Sequence, residues 1–271
     1  MSYFNIVAQS NESTVVTEYK PQDKRSDAYQ SEAQLEQEFI RMLQDLGYGY
    51  LQIHKEADLI ANLRVQLSKV NNYEFTDGEW DRFFKEVLAN PNADIAEKSR
   101  LIQEDHVQVL KRDNGESKNI VLIDKKNIHN NILQVINQYT VSTDDGAKHD
   151  NRYDVTVLVN GLPLVHIELK RRGVPIREAF NQINRYQRDS FWAASGLYEY
   201  VQLFVISNGT RTKYYSNTTR YNHIKDATSK KAKKKLTSRP LTKSTHRCQS
   251  PVCLTIGGPG YTLGCIMKPL R

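Results

Sequence analysis

The chain has 271 residues, 39% of them apolar and 25% charged, and it lacks the run of about eighteen apolar residues that a membrane span needs. These values exclude an integral membrane protein and a disordered polypeptide, and because the N-terminus lacks the pattern of a secretory signal, we expect a cytoplasmic protein. The net charge of +7 is uneven: residues 220–271 carry twelve basic residues and one acidic residue, whereas residues 1–219 carry 26 basic and 30 acidic residues. The total charge therefore does not by itself indicate DNA binding.

The first part of the chain is predicted to be mainly α-helical. Residues 1–30 have no strong period and are interpreted as an N-terminal arm. From Ser31, apolar residues recur at three- and four-residue steps up to Gly47, which predicts one amphipathic helix. Further helices are predicted over about 56–70 and over 78–88, the last with Asp77 as its N-cap. The apolar residues of the first helix are Leu35, Phe39, Met42, Leu43 and Leu46.

The pattern then changes to short segments rich in branched and aromatic residues, which are typical of β-strands. A helix over about 174–188 separates the last two of these segments, so the order is a β-hairpin, a helix and a strand. Asn208-Gly209 is typical of a further hairpin turn. The predicted strands are residues 119–124, 153–159, 164–170 and 201–206.

Residues 221–271 are basic, rich in Ser, Thr, Gly and Pro, and predicted to be disordered. The loss of pattern beyond Tyr221 is that of a chain that stops within a larger protein, and a frameshifted or prematurely ended reading frame is one hypothesis for the sequence after about residue 236. The tail holds all three cysteines, Cys248, Cys253 and Cys265, whose spacing fits no zinc site. We expect free thiols there, and DNA contact by the basic run is an open alternative.

Residues 151–170 carry the chemistry. Strand alternation places His166, Glu168 and Lys170 on one face, and Asp154 lies on the preceding strand. Two carboxylates and an ammonium brought together in this way suit Mg²⁺, which takes one or two carboxylates with water and substrate phosphate. The predicted reaction is metal-assisted phosphodiester hydrolysis.

The predicted site requires a particular register between the two strands of the hairpin. A strict two-residue turn at Asn160-Gly161 would set Asp154 opposite Ile167, and the two carboxylates would diverge. We therefore predict a three-residue connection or a one-residue bulge near Pro163 that brings Asp154 opposite Glu168.

Several alternatives stay open at this point. The three charged residues also fit the surface of an edge hairpin, and His166 also fits a packed strand residue. Gln182 and Tyr186 lie at i and i+4 on the following helix, where they either support the site or face solvent. A phosphate-binding face beside the site is a further hypothesis, with a solvated helix surface as its alternative. Its members are Lys170, Arg171, Arg172, Arg177, Arg185 and Arg188.

Asp154, Glu168 and Lys170 resemble the signature of the PD-(D/E)xK nuclease superfamily, with Tyr153 in place of the proline. The run Gln182-Ile-Asn-Arg-Tyr186 resembles the QxxxY motif of the restriction subunit of type I restriction–modification enzymes. The likeness covers about residues 28–220. It includes Glu36, which resembles an acidic residue near the metal and is a candidate metal ligand, although Glu32 and Glu38 compete for that role.

The resemblance implies a restriction-endonuclease-like α/β domain over residues 31–220, with a mixed β-sheet flanked by helices. It also implies Mg²⁺-dependent cleavage of duplex DNA by Asp154, Glu168 and Lys170, with Gln182 and Tyr186 in support. The family's partners are methyltransferase and specificity subunits, and its DNA translocation uses ATP.

No GxxxxGK[ST] phosphate loop occurs in this chain, so we expect no ATP site here. The alternatives are a truncated, non-catalytic assembly or DNA-binding module and a stand-alone repair or recombination nuclease.

Overall fold

The computed structural model describes four segments of the chain, with side chains from residue 31 onward: residues 4–9, 15–19, 31–209 and 212–217. The predicted tail and its cysteines lie outside the described residues, as does most of the predicted arm. None of the helices in these four segments combines the length and the low polarity that a membrane-spanning helix needs.

The described helices alternate with strands. The α-helices are α1 (Glu32–Asp45), α2 (Glu56–Asn71), α3 (Asp77–Phe83), α4 (Ile95–Gln103) and α5 (Ile176–Asp189). The strands before the hairpin are β1 (Phe4–Gln9), β2 (Val15–Tyr19), β3 (Gly49–Tyr50), β4 (Val107–Lys111), β5 (Ser117–Val121) and β6 (Leu133–Val141). The strands of the hairpin and beyond it are β7 (Asn151–Val159), β8 (Leu162–Leu169), β9 (Leu203–Ser207) and β10 (Thr212–Ser216).

Six strands form one mixed sheet in the order β10-β9-β8-β7-β6-β3. Strands β6, β7 and β8 are antiparallel neighbours, whereas β8 and β9 are parallel and α5 connects them. The predicted order of hairpin, helix and strand is confirmed, and so is the antiparallel pairing of β9 with β10. Two smaller sheets, β1-β2 and β4-β5, lie outside this one.

Helices cover both faces of the six-stranded sheet. On one face, α1 packs Leu35, Phe39 and Leu43 against apolar side chains of the central strands. On the other face, α2 and α5 contribute Leu63 and Ile183 to a larger apolar cluster. Because all eight residues of β8 are buried between these layers, charged groups on β8 lie inside the protein. The predicted α/β class, a mixed sheet flanked by helices, is confirmed.

The helix ends follow local chemistry. Ser31 caps α1 through a capping box with Gln34, and Gly47 follows the helix with φ +91°. Leu46 is 49% exposed, so it does not belong to the packed face on which the spacing placed it. It is the C-cap of α1, where the helical period no longer applies.

The prediction of Asp77 as an N-cap is wrong. Thr76 caps α3 through a capping box with Glu79, and the helix continues as a π-helical turn over Phe84–Leu88. Strands β1, β2, β4 and β6 and helix α4 were not predicted from the pattern. Strand β6 was hidden because Asn137 and Gln138 interrupt its apolar residues.

A two-residue turn, Asn160-Gly161, joins β7 to β8 with φ values of +52° and +86°. The side chain of Asn160 is fully buried and donates to the carbonyl of Leu122. A Cβ added to Gly161 would lie 2.6 Å from the Cα of Leu63 in α2. Glycine is therefore required here both by backbone conformation and by the close approach of a helix.

We predict that Gly161→Ala destabilises the domain well beyond the cost of the backbone conformation. That cost is about 1–2 kcal/mol, and Gly115→Ala measures it, because Gly115 has φ +84° and open space around the added Cβ. The collision with α2 should add roughly 1–3 kcal/mol at position 161. Urea denaturation of both variants measures the difference, and equal destabilisation would contradict the close contact.

Candidate active site

A one-residue bulge in the β7–β8 hairpin sets the register of the site. Val159 pairs with Leu162 and Leu158 with Pro163, but Val157 pairs with Val165. Beyond this shift Val155 lies opposite Ile167, which brings Asp154 opposite Glu168. The predicted bulge near Pro163 is confirmed.

The three predicted site residues lie together. Glu168 is fully buried, and its Oε1 accepts a hydrogen bond from Lys170 Nζ at 3.0 Å. Asp154 Oδ2 accepts from the backbone N–H of Leu169 at 2.9 Å, which ties the end of β8 to β7. The side chain of Lys170 is only 12% exposed. The alternative of surface charges on an edge hairpin is therefore wrong for this triad.

Burial dominates the electrostatics of the pair. It raises the pKa of Asp154 well above its ordinary value, and the nearby charge of Glu168 raises it further. Burial likewise raises the pKa of Glu168, against the lowering effect of the Lys170 charge. Burial alone would lower the pKa of Lys170, but the charges of Glu168 and Asp154 outweigh it and raise that pKa. The ammonium therefore stays protonated beside the two carboxyl groups.

The donor set fits a hard divalent cation. Glu168 Oε2 is buried and accepts no hydrogen bond, and when Asp154 is also ionised neither carboxylate can donate to the other. A shared proton or a bound cation removes the repulsion between the two carboxylates. Mg²⁺ is such a cation, and it takes one or two protein carboxylates. Among the described residues, no group of three or more His, Cys, Asp or Glu side chains converges as a metal cage.

Gln182 and Tyr186 lie on α5 and contact each other through the amide of Gln182 and the hydroxyl of Tyr186. The Tyr186 hydroxyl also donates to the carbonyl of Arg152 at 2.7 Å, two residues before Asp154. Tyr186 is 1% exposed, so it is a core residue and not a solvent-facing one. This contact links the QxxxY helix to the strand that carries Asp154.

Glu36 approaches the site from α1 on the other side. Its Oε1 and Oε2 accept hydrogen bonds, each at 2.5 Å, from the side-chain amides of Asn137 and Gln138. Burial raises its pKa, and Asp154 is close enough to add to that rise. Its role as a metal ligand stays a prediction, while its contacts bind α1 to β6. Asn137 and Gln138 were missed because β6 was not predicted as a strand.

Glu32, at the first position of α1, is the acidic residue of this helix that contacts Lys170. Its Oε2 lies 4.0 Å from Lys170 Nζ, and its Oε1 accepts from the backbone N–H of Arg171. Glu38 is exposed. Among these three acidic residues, Glu32 thus contacts the ammonium and Glu36 is bound to β6.

The arginines of the predicted phosphate-binding face are exposed. Arg188 is already paired with Asp189 through two contacts, at 2.9 and 3.2 Å. Arg185 lies over the ring of Tyr186, with 5.4 Å between its guanidinium carbon and the ring centre. The exposed members of this face are Arg171, Arg172, Arg177, Arg185 and Arg188.

We predict that Asp154→Asn stabilises the metal-free domain, and does so more at pH 8 than at pH 5. The raised pKa means that the folded domain binds more protons than the unfolded chain between about pH 4, the ordinary carboxyl value, and about 7, the value for Asp154 in the folded domain. The free energy of unfolding therefore falls as the pH rises through this window, and the neutral amide avoids that loss.

Urea denaturation in EDTA at the two pH values measures this, with the exposed Asp144→Asn as the control for loss of one charge. Comparing each variant with the parent cancels the contribution of other groups. One of these is His166, whose lowered pKa makes the free energy of unfolding rise with pH. An equal gain at both pH values would contradict the prediction.

We predict that Tyr186→Phe lowers the free energy of unfolding by about 1 kcal/mol, because the carbonyl of Arg152 loses its donor. Tyr214→Phe is the matched control, since Tyr214 is 48% exposed on β10. Chemical denaturation compares the two variants. A larger loss at Tyr214 than at Tyr186 would show that the hydroxyl of Tyr186 does not hold β7.

The matching family model and the relatives that follow are all named for type I restriction enzymes. The model of the family described as the type I restriction enzyme R protein N terminus matches residues 29–223. The chain is 48% identical over 215 residues to the type I restriction enzyme EcoprrI endonuclease subunit of Escherichia coli, a match that covers 79% of this chain and 67% of that protein.

More distant relatives are far longer than the matched region. The chain is 40% identical over 195 residues to the type I restriction enzyme SauMSSORF170P endonuclease subunit of Staphylococcus aureus, covering 70% of this chain and 20% of that protein. A match at 28% identity to the putative type I restriction enzyme MjaIXP endonuclease subunit of Methanocaldococcus jannaschii covers 18% of that protein. The chain belongs to the family of type I restriction enzyme R proteins and contains the N-terminal domain of an endonuclease subunit of such an enzyme.

Proposed function

We propose that this domain hydrolyses phosphodiester bonds of duplex DNA with Mg²⁺ as its cofactor. The observation that carries the proposal is the pairing of fully buried Glu168 with half-buried Asp154 beside the ammonium of Lys170. Two carboxylates this close together and this poorly hydrated repel each other, and a bound cation or a proton relieves that repulsion. The names of the relatives, as endonuclease subunits of type I restriction enzymes, support this reading.

Asp154 and Glu168 would hold Mg²⁺ in this proposal. The bound ion would supply Lewis-acid stabilisation of charge on the phosphate and a lowered pKa for a water ligand. Leu169 fixes the orientation of Asp154 through its N–H, and Lys170 fixes that of Glu168. Both carboxyl groups therefore keep one direction without DNA.

Lys170 would stabilise the negative charge that develops on the phosphate. Its raised pKa keeps it protonated at neutral pH, so it acts as a fixed positive charge or a hydrogen-bond donor and not as a general base. Glu32 and Glu168 hold the ammonium from two sides. This arrangement limits the entropy that Lys170 would lose when substrate binds.

The exposed arginines would contact the DNA backbone. Arg171 and Arg172 follow Lys170 directly, and Arg177 and Arg185 lie on α5. Phosphate contacts of this kind position a duplex without reading its sequence. We therefore expect little sequence preference in this domain.

We propose further that efficient cleavage needs the complete type I complex, in which methyltransferase and specificity subunits bind the DNA and ATP drives translocation. No ATP-binding motif occurs in this chain, so the ATPase would lie elsewhere in the complex. Action on DNA within such a complex is consistent with a cytoplasmic protein.

A plasmid-nicking assay tests the proposal. Incubated with supercoiled plasmid and Mg²⁺, the parent chain should nick DNA, alone or after assembly with methyltransferase, specificity and motor subunits. Lys170→Ala should lower the rate about 100-fold or more. Asp154→Ala should abolish nicking, because one of the two carboxylates that would hold Mg²⁺ is lost.

Lys111→Ala, at an exposed position on β4, is the matched control and should cut like the parent. EDTA should stop the reaction in every sample. If the parent cuts neither alone nor in the assembled complex, or if Lys170→Ala cuts like Lys111→Ala, the proposed nuclease is wrong.

A further inference from the structure

His166 is a fully buried polar residue packed among aromatic rings. It lies on β8, two residues before Glu168, and its ring is 0% exposed. The rings of Tyr153, Phe191 and Tyr186 surround it in edge contacts, with centre-to-centre distances of 5.5, 5.6 and 6.0 Å. Burying an imidazole in this way costs free energy that an apolar side chain would not cost. Packing alone therefore does not explain a histidine here.

Neither ring nitrogen of His166 forms a hydrogen bond within the described residues. The contact that remains is to the site: His166 Nε2 lies 3.5 Å from Glu168 Oε2. That oxygen is also buried without a donor. Two unsatisfied polar atoms thus face each other, one of them a candidate metal-ligand carboxylate.

The imidazole of His166 can serve as a donor toward Glu168 Oε2. A neutral imidazole carries one N–H, which either ring nitrogen can hold. A distance of 3.5 Å exceeds a full N–H···O hydrogen bond, and contacts in catalytic sites are often long before the site is loaded.

We propose that His166 is a positioning residue for Glu168, with its proton on Nε2 directed at Oε2. Lys170 then holds Oε1 and His166 holds Oε2, so the carboxylate is fixed at both oxygens. Each oxygen keeps a further lone pair, which leaves Glu168 able to bind a cation. This inference rests on the proposed function, in which Glu168 is a metal ligand.

Two variants separate this role from packing. His166→Gln keeps an N–H donor at a similar reach, whereas His166→Leu fills the space among the rings without one. In the full chain, Mn²⁺ binding by calorimetry should weaken about 10–100-fold in His166→Leu, the usual effect of losing a residue that orients a metal ligand. His166→Gln should bind within a few-fold of the parent, and kcat for plasmid nicking should follow the same order while KM for DNA stays unchanged.

If His166→Leu folds and binds Mn²⁺ like the parent, the positioning role is overturned while the proposed nuclease stands. If the parent binds no Mn²⁺, or binds it equally after Asp154→Asn, the proposed metal site fails and this inference fails with it.

The tautomer of His166 gives a test that needs no folded leucine variant. Nitrogen-15 NMR of the parent, with the resonance assigned by its loss in His166→Gln, should show a protonated Nε2 and an unprotonated Nδ1. A proton on Nδ1 would overturn the proposal, because Nε2 would then have nothing to donate.

Discussion

The candidate site depends on two carboxyl groups held side by side with little access to water. Glu168 is fully buried, and Asp154 lies opposite it on the neighbouring strand. Their raised pKa values express the cost of this placement, which Lys170 and one backbone N–H offset only in part. The rest of the fold therefore stabilises a pair of carboxyl groups whose placement is electrostatically unfavourable, which is a common property of functional sites.

The sheet is adapted to this constraint on both sides of Asp154. The bulge on β8 brings Glu168 opposite it, and on β6 the facing residue, Gln138, has φ +54°. Along β7, Val155 packs on the α1 side of the sheet, whereas Tyr153 packs in the opposite cluster. The regular alternation of side chains between the two faces of the sheet is thus interrupted at Asp154. A residue with left-handed backbone conformation faces Asp154, and strain of this kind is often found at functional sites.

Each layer of the fold also holds the site through a separate contact. Helix α1 reaches it through Glu32 and Glu36, and α5 reaches it through Tyr186. His166 lies between Glu168 and the ring of Tyr153 and contacts both. These contacts connect the orientation of the candidate ligands to the packing of the whole domain, so variants in the core are expected to affect chemistry as well as stability.

The sequence alone predicted the candidate residues of the site, the hairpin that carries them and the need for a bulge. Those follow from strand alternation and the ligand preference of Mg²⁺, which depend on spacing and residue type. Only the tertiary structure decided that Glu32, and not Glu36, contacts Lys170, and that Thr76, and not Asp77, caps α3. It also revealed β6 and the burial of His166 against Glu168. Periodicity reports local interactions, whereas burial, pKa and contacts between distant segments arise when the layers pack.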